Sequence, residues 1–395
     1  FAFIFSKKPE YSELEKRKLV QFPTLSLKSI VDNKALKQIE EYVSDNFIFR
    51  IEFRELSNFI SANRGVQQEI VQVNTHLHVN NPTAISNVVR SNAEVENNKL
   101  DENAFQNIES IIIYKNRAVQ MFGGGTKHLE KYMAFLSSIK SKLGDGVKIR
   151  LLPIPIGGDF YLPLKVTAGK YKELSNIEYA INKESSIDTV INAYDILKEN
   201  SDKYIYFKTD HHWTALGAYY AYQAFCRRLG INEISLGNLE KHEITGFLGT
   251  LYARTLSDKL KANPDVVEYY KLPNELRMKT YESVYGKPSN GRVFYESARG
   301  GAAYGVFLGG DKPLAVVESG VNSKKILVLK DSYGNAFVPY LAHNFGEVHV
   351  ADYRYLNGNL TQYVKDKNIT EVLFLHNLYV INNPYTLTRE SGMFK

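Results

Sequence analysis

KKILVLKDSYGNAF, residues 324–337, is the stretch that decides the fold class of this 395-residue chain. Its apolar run ILVL predicts a buried strand, and Asn335–Phe345 predicts a short helix after it. Two more strand patterns follow, at Glu347–Tyr353 and Glu371–His376, with a helical pattern at Leu360–Lys367 between them. This alternation predicts an α/β fold in which helices cover a mostly parallel sheet.

Three polar side chains come directly after these three strands: Ser332, Arg354 and Asn377. Parallel strands present their carboxyl ends at one edge of a sheet, where ligands bind. We therefore expect a hydroxyl, a cation and an amide donor to lie close together. Simpler interpretations also exist. Ser332 and Asn377 could cap turns or helices, and Arg354 could form a surface ion pair with Asp352.

A second informative stretch is YFKTDHHWTALGAYYAY, residues 206–222. Tyr204–Thr209 predicts a short strand that runs into Asp210. Thr214 is a suitable cap for the helix that follows, and Gly230 is a natural end for it. The acidic residue is therefore predicted to lie at a strand-to-helix junction.

These residues complete a system for nucleophilic catalysis. A serine hydroxyl needs a neighbouring base. His212 is the best placed of the nine histidines because Asp210 lies two positions before it, on the same side of an extended chain. The sequence thus predicts that Ser332 attacks, His212 takes its proton and Asp210 orients His212. His211 is expected to face the other way, with a packing or hydrogen-bonding role.

The patterns in the rest of the chain predict more strands and helices and one irregular region. Residues 1–65 are interpreted as an N-terminal lead with a helical segment, and residues 66–395 as the catalytic domain. Residues 235–320 show little periodicity and are interpreted as an insertion or lid over the site. The other predicted elements are helices at Leu36–Ile60, Lys127–Leu143 and Ser186–Asn200, strands at Ile108–Lys115 and Val147–Ile156, and an exposed loop at 91–107.

Composition narrows the function classes. The net charge of +6 comes without an arginine-rich stripe, which argues against nucleic acid as a partner. The single cysteine, Cys226, rules out an intramolecular disulfide and is predicted to be buried. His76 and His78 add imidazoles, but no motif completes a ligand set, so no metal is expected. The opening residues FAFIFSKK are typical of the end of an apolar anchor segment.

The segment around Asp210 resembles the signature of DHHW-type proteins, which belong to the SGNH hydrolase superfamily and are similar to alginate-type exopolysaccharide O-acetyltransferases. The segments GFLGTLYART, YGVFLGG, LVLKDSYGNAFVPYL and VADYRYLN also fit the family's pattern. The resemblance implies a flavodoxin-like α/β/α fold in which Asp210, His212 and Ser332 form the triad. Lys330 departs from the wider superfamily, whose Gly-Asp-Ser motif has glycine there.

The resemblance also implies a function. Arg354 and Asn377 align with the family's oxyanion and substrate-binding positions. The expected activity is O-acetylation of a carbohydrate, an exopolysaccharide or cell-wall polymer, with acetylesterase activity when water replaces the sugar. No cofactor is expected, because a membrane-bound O-acyltransferase would supply acetyl groups within a polysaccharide synthase complex. The family implies an extracytoplasmic location with an N-terminal membrane anchor. Two alternatives remain open: a non-catalytic polysaccharide-binding scaffold subunit and a dedicated polysaccharide acetylesterase.

Overall fold

The computed structural model describes residues 111–163 and 173–395 continuously. It also describes residues 105–108 and short pieces at 11–12, 17–18, 20–22, 38–39, 42–43 and 46. The anchor segment, His76, His78 and most of the predicted helix Leu36–Ile60 lie outside these residues. Among the residues described, no helix is both long and apolar enough to cross a bilayer.

The described strands are numbered in chain order. They are β1 (Tyr11–Ser12), β2 (Arg17–Lys18), β3 (Phe105–Ile108), β4 (Ile111–Tyr114), β5 (Arg117–Gln120), β6 (Lys148–Ile154), β7 (Thr189–Val190), β8 (Glu240–Phe247), β9 (Asp265–Lys271), β10 (Arg277–Tyr281), β11 (Ser289–Gly291), β12 (Leu314–Glu318), β13 (Lys325–Lys330), β14 (Glu347–Asp352) and β15 (Glu371–Asn377). Eight of them form the central sheet, in the spatial order β11-β10-β12-β14-β13-β15-β6-β7. The run from β14 to β7 is parallel, and β12 pairs with β14 in the antiparallel direction.

Helices pack on both faces of this sheet. They are α1 (Lys127–Leu143), α2 (Gly158–Tyr161), α3 (Glu173–Asn182), α4 (Tyr194–Glu199), α5 (Ala215–Leu229), α6 (Thr250–Thr255), α7 (Asp258–Lys261), α8 (Gly334–Leu341), α9 (Leu360–Asp366), α10 (Leu378–Ile381) and α11 (Pro384–Ser391).

The apolar run of β13 shows why the sheet has two covered faces. Ile326 and Val328 belong to the core that α5 and α8 cover. The alternate residues Leu327 and Leu329 belong to the core on the other face, with α1 and α9. Since side chains alternate along a strand, four consecutive apolar residues supply both cores at once. The predicted three-layer α/β/α arrangement is confirmed.

The helix after the DHHW segment forms as predicted. The Thr214 hydroxyl accepts a hydrogen bond from the Gly217 N–H at 3.2 Å, and Gly230 ends α5 with φ of +65°. The predicted strand Tyr204–Thr209, in contrast, is wrong: the chain forms only an isolated bridge between Tyr206 and Trp213. The chain turns back on itself there, so Asp210 and His212 lie in a tight bend before the helix.

The prediction of one helix over Ser186–Asn200 is also wrong. The Asp188 carboxylate binds the Ile149 N–H at 2.9 Å and the Lys140 ammonium at 2.5 Å. This anchors the chain beside β6, where the β-branched pair Thr189–Val190 joins the sheet edge as β7. Helix α4 begins only after that strand.

Two other regions differ from expectation. Within the predicted strand Ile108–Lys115, residues Ile111–Tyr114 form β4 of a three-stranded antiparallel sheet with β3 and β5. Residues 105–107 of β3 come from the predicted loop. Residues 235–320 are more regular than expected. β10, β11 and β12 extend the central sheet, and β8 pairs with β9 in a separate hairpin.

Candidate active site

The sequence-predicted acid, base and nucleophile come together in one hydrogen-bonded chain. Nδ1 of His212 lies 2.6 Å from Oδ1 of Asp210, and Nε2 of His212 lies 2.7 Å from Oγ of Ser332. Asp210 and His212 are buried, whereas Ser332 is partly exposed. An imidazole placed between a carboxylate and a hydroxyl can remove the hydroxyl proton while the carboxylate stabilises the resulting charge.

Asp210 is held by several donors at once. Oδ1 accepts the backbone N–H of His212 at 3.0 Å, and Oδ2 accepts both the N–H (2.8 Å) and the hydroxyl (3.0 Å) of Thr250. Burial opposes the charge on this carboxylate. The nearby imidazoles of His212 and His211 and the hydrogen bonds outweigh burial and lower its pKa well below the usual range. Asp210 is therefore ionised and fixed in orientation.

The turn that presents Ser332 is organised by its neighbour Asp331. This buried carboxylate accepts the N–H of Tyr333 at 2.9 Å, the N–H of Asn377 at 2.7 Å and the amide Nδ2 of Asn377 at 2.9 Å. The side chain thus ties the end of β13 to the end of β15. Ser332 is left at the start of α8 with its hydroxyl toward His212.

Two aromatic rings enclose His212. Tyr304 stacks on it with a centroid distance of 4.0 Å and an interplanar angle of 8°, while His211 lies 3.8 Å away at 38°. Two rings this close to a third must lie on its opposite faces. Tyr304 also donates a hydrogen bond to the Ser332 carbonyl at 2.9 Å. His212 is thereby restricted to one plane, the plane that contains the serine hydroxyl.

His211 does not face away from its neighbour as predicted, but it has the predicted hydrogen-bonding role. Its Nδ1 lies 2.6 Å from Oγ1 of Thr250 and 3.7 Å from Oδ1 of Asp210. Burial and the adjacent His212 lower the pKa of His211 to about 3. The imidazole is neutral at physiological pH.

Arg354 follows β14 as predicted and belongs to a partly buried charge cluster. Its Nη2 lies 2.7 Å from Asp352 and 2.8 Å from Asp311, and Lys330 contacts the same two carboxylates at 2.8 and 3.0 Å. The ion pair with Asp352 therefore exists, although Asp352 is fully buried and the Arg354 side chain is 29% exposed. The positive charge of Arg354 acts on the site electrostatically, since it contributes to the lowered pKa of His211. Its role at an oxyanion stays a prediction.

Lys330 explains how the chain departs from a Gly-Asp-Ser turn. Its side chain is 1% exposed. Burial disfavours its charge, but Asp311 and Asp352 outweigh burial and raise its pKa. The long side chain is accommodated because residue 334 is glycine: a Cβ there would lie 2.7 Å from Cβ of Lys330. The turn after β13 thus combines a buried lysine with a nearby glycine.

Asn377 lies at the expected strand end, but its amide is already engaged. Its Nδ2 donates to Asp331, and its Oδ1 accepts the N–H groups of Tyr379 at 2.9 Å and Val380 at 3.2 Å. This is the helix-cap interpretation considered from the sequence. A contact between Asn377 and an oxyanion stays a prediction that would require the amide to rotate.

Asp210, His211 and His212 also have ligand atoms within 4.8 Å of one another, a spacing that could hold a metal ion. In the described structure these atoms are hydrogen-bonded, with the Asp210–His212 contact at 2.6 Å. A metal ion would displace the proton that the triad needs between them. The arrangement fits acid–base chemistry better than metal binding.

Sequence reasoning missed two residues that complete the site, Thr250 and Tyr304. Both lie within or beside segments that fit the family's pattern, GFLGTLYART and YGVFLGG. Gly249, which precedes Thr250, also indicates that this segment contacts Asp210, because a Cβ at residue 249 would lie 2.2 Å from Cβ of Asp210. A glycine is needed where two backbone segments approach this closely.

The fold and site together define a class: a three-layer α/β protein with a hydrogen-bonded Ser–His–Asp set at the carboxyl ends of its parallel strands. The family model described as "DHHW protein" matches residues 170–351, which contain Asp210, His212 and Ser332. The predicted resemblance to DHHW-type proteins is confirmed over these residues. A search of curated protein sequences gave no match.

Two solved structures with TM-scores above 0.5 have a similar fold. A DHHW family protein from Eubacterium siraeum is 28% identical, with a TM-score of 0.67 over 74% of this chain and 98% of that chain. Bacillus cereus PatB1 is 22% identical, with a TM-score of 0.58 over 70% of this chain and 98% of that chain. The O-acetyltransferase domain of Pseudomonas putida AlgJ is 14% identical, with a TM-score of 0.41, over 72% of this chain and 96% of that chain.

Proposed function

We propose that this protein is a serine-dependent O-acetyltransferase that acetylates hydroxyl groups of a carbohydrate polymer, an exopolysaccharide or cell-wall polymer, and releases acetate when water is the acceptor. The observation that carries the proposal is the hydrogen-bonded chain from Asp210 through His212 to Ser332, with contacts of 2.6 and 2.7 Å. The DHHW match supports the choice of acetyl and carbohydrate, because DHHW-type proteins are similar to alginate-type exopolysaccharide O-acetyltransferases.

In the first half-reaction, Oγ of Ser332 bonds to the acetyl carbonyl carbon and its proton passes to Nε2 of His212. The tetrahedral intermediate then collapses. The bond to the donor's leaving group breaks, and His212 returns its proton to that group. An acetyl ester on Ser332 remains.

The second half-reaction uses the same groups in reverse order. A sugar hydroxyl gives its proton to His212 and its oxygen bonds to the acetyl carbon. The ester bond to Ser332 breaks, and the serine recovers the proton. Among the described residues none accepts a hydrogen bond from the Ser332 N–H, so this group can donate to the oxyanion in both steps. Arg354 is the second proposed contributor, as a nearby cation.

The setting of the reaction is part of the proposal. A membrane-bound O-acyltransferase would supply the acetyl group, so the chain itself would need no cofactor. Its substrate would be made by a polysaccharide synthase complex on the extracytoplasmic side of the membrane.

Turnover of p-nitrophenyl acetate tests the acyl-transfer chemistry. We expect Ser332→Ala to lose the activity, because it removes the hydroxyl that is hydrogen-bonded to Nε2 of His212. Ser141→Ala, which changes an exposed serine on α1, is the matched control and should behave as wild type. A phenylsulfonyl fluoride should modify wild type at Ser332, as peptide mass spectrometry would locate.

Equal turnover by wild type and Ser332→Ala would remove this serine from the mechanism. A scaffold subunit would instead bind polysaccharide with the same affinity in both proteins and transfer no acetyl groups. A dedicated esterase would release acetate but leave added sugar hydroxyls unmodified, so the two products should be measured in the same reaction.

A further inference from the structure

His211 is a second imidazole at the site, and the triad chemistry does not use it. Its ring lies 3.8 Å from that of His212, and both rings direct Nδ1 toward the same carboxylate oxygen, at 3.7 Å for His211 and 2.6 Å for His212. The two nitrogens of an imidazole point in roughly opposite directions. Nε2 of His211 therefore points away from Asp210, on the same side as the Nε2 of His212 that contacts Ser332.

The proton positions on His211 follow from Thr250. The Thr250 hydroxyl has one hydrogen and lies 3.0 Å from Oδ2 of Asp210 and 2.6 Å from Nδ1 of His211. Because Asp210 is ionised and can only accept, the hydroxyl must donate to it. The hydroxyl oxygen then accepts from Nδ1, which must carry the proton of the neutral ring. Nε2 of His211 is left with a lone pair.

His211 lines a cleft that Asp210 of the triad also lines. The His211 side chain is 31% exposed, and the cleft is also lined by Ile156, Tyr161, Leu251 and Tyr333. Within the described part of the chain, the hydrogen bonds of His211 involve its Nδ1 and its backbone carbonyl. A ligand group that meets Nε2 must therefore be a hydrogen-bond donor.

We propose that Nε2 of His211 accepts a hydrogen bond from a second hydroxyl of the acceptor, beside the hydroxyl that is acetylated. This inference rests on the proposed function. The attacking hydroxyl gives its proton to His212, so it cannot also donate to His211. The contact between the two rings places the second hydroxyl close to the first. The site therefore selects acceptors that carry neighbouring hydroxyls, as sugars do.

The experiment compares two acceptors that differ by one hydroxyl. Acetyl-enzyme is formed from p-nitrophenyl acetate, and the acetyl esters of 1,2-propanediol and 1-propanol are quantified in competition. We expect wild type to prefer the diol by about tenfold, the effect of one hydrogen bond. His211→Asn should lose the preference, because its amide reproduces the donor at Nδ1 but has no atom at Nε2.

His211→Gln is the matched variant, since its terminal amide reaches the position of Nε2 and should retain part of the preference. A merely structural role of His211 would lower transfer to both alcohols equally and leave the ratio unchanged. A ratio that is equal in wild type and His211→Asn overturns the inference while the proposed function stands.

A second measurement does not depend on activity. In the Ser332→Ala protein, ¹⁵N NMR of the imidazoles should show His211 protonated at Nδ1 and bare at Nε2. A proton on Nε2 would overturn the inference even if no acetyl transfer is detected. Absence of ester turnover in wild type, with the expected tautomer present, would instead count against the proposed function.

Discussion

Replacing Gly249 by alanine should disable the site from outside the triad. The added Cβ would lie 2.2 Å from Cβ of Asp210 and 2.4 Å from its Oδ2. The backbone φ of Gly249 is −87°, which alanine adopts without strain. The whole effect of the substitution must therefore come from its collision with Asp210.

The structure sets the size of this effect. Ordinary contacts of a Cβ begin at 3.4 Å, so the two segments must separate by about 1.2 Å. Asp210 holds His212 through a bond of 2.6 Å, which cannot survive a shift of that size. Misplacement by about 1 Å costs roughly 100-fold in rate, and we expect kcat/KM to fall by about this factor.

The assay is kcat/KM for p-nitrophenyl acetate, measured with the free energy of unfolding by urea denaturation. Gly146→Ala is the matched control, because no atom lies within 4 Å of its added Cβ. A folded Gly249→Ala protein with kcat/KM near that of wild type would refute the reasoning. It would mean that Asp210 does not need its observed position.

Three other predictions concern stability and reactivity. Burial, with nearby Asp159, raises the pKa of Glu173 to about 7, so the native state binds a proton that the unfolded chain has lost. The free energy of unfolding should therefore fall by up to about 3 kcal/mol as pH rises from 5 to 8. Urea titrations of Glu173→Gln should show a weaker dependence on pH. Lys330→Met leaves Asp311 and Asp352 to share Arg354 as their remaining cation, so one negative charge is uncompensated. The loss should destabilise the protein by about 3–5 kcal/mol. Lys325→Met in the same strand breaks a partly exposed pair and should cost about 1 kcal/mol or less; equal losses would contradict the burial argument. Burial raises the pKa of the Cys226 thiol to about 12, so Ellman's reagent should react with it only after unfolding. Rapid reaction in the native protein would contradict the packing of α5 around Cys226.

The parts of the site that the sequence revealed are those carried by local patterns. The apolar run of β13 could be recognised because four consecutive apolar residues fit a strand covered on both faces, and the residues after it must then lie at a sheet edge. Asp210 and His212 could be paired because only two positions separate them. The end of α5 at Gly230 was equally local, as it depends on one backbone conformation.

Local patterns were misleading where a distant side chain decided the backbone. The stretch Tyr204–Thr209 has the composition of a strand, yet the Asp265 carboxylate accepts the N–H groups of Lys208 and Thr209 and holds the chain in a bend. Asp188 similarly diverts a predicted helix into an edge strand by binding β6. Such partners are far apart along the chain, so no window of sequence contains both.

By itself, the sequence determined the α/β class and predicted Asp210, His212 and Ser332 as acid, base and nucleophile, because residue type and short spacing are properties of single segments. The tertiary structure alone decided which groups align them. Thr250 reaches Asp210, Tyr304 covers His212, and the amide of Asn377 binds Asp331 in place of an open oxyanion site. Those contacts join residues that are 40 to 92 positions apart in the chain, so folding and not adjacency brings them together.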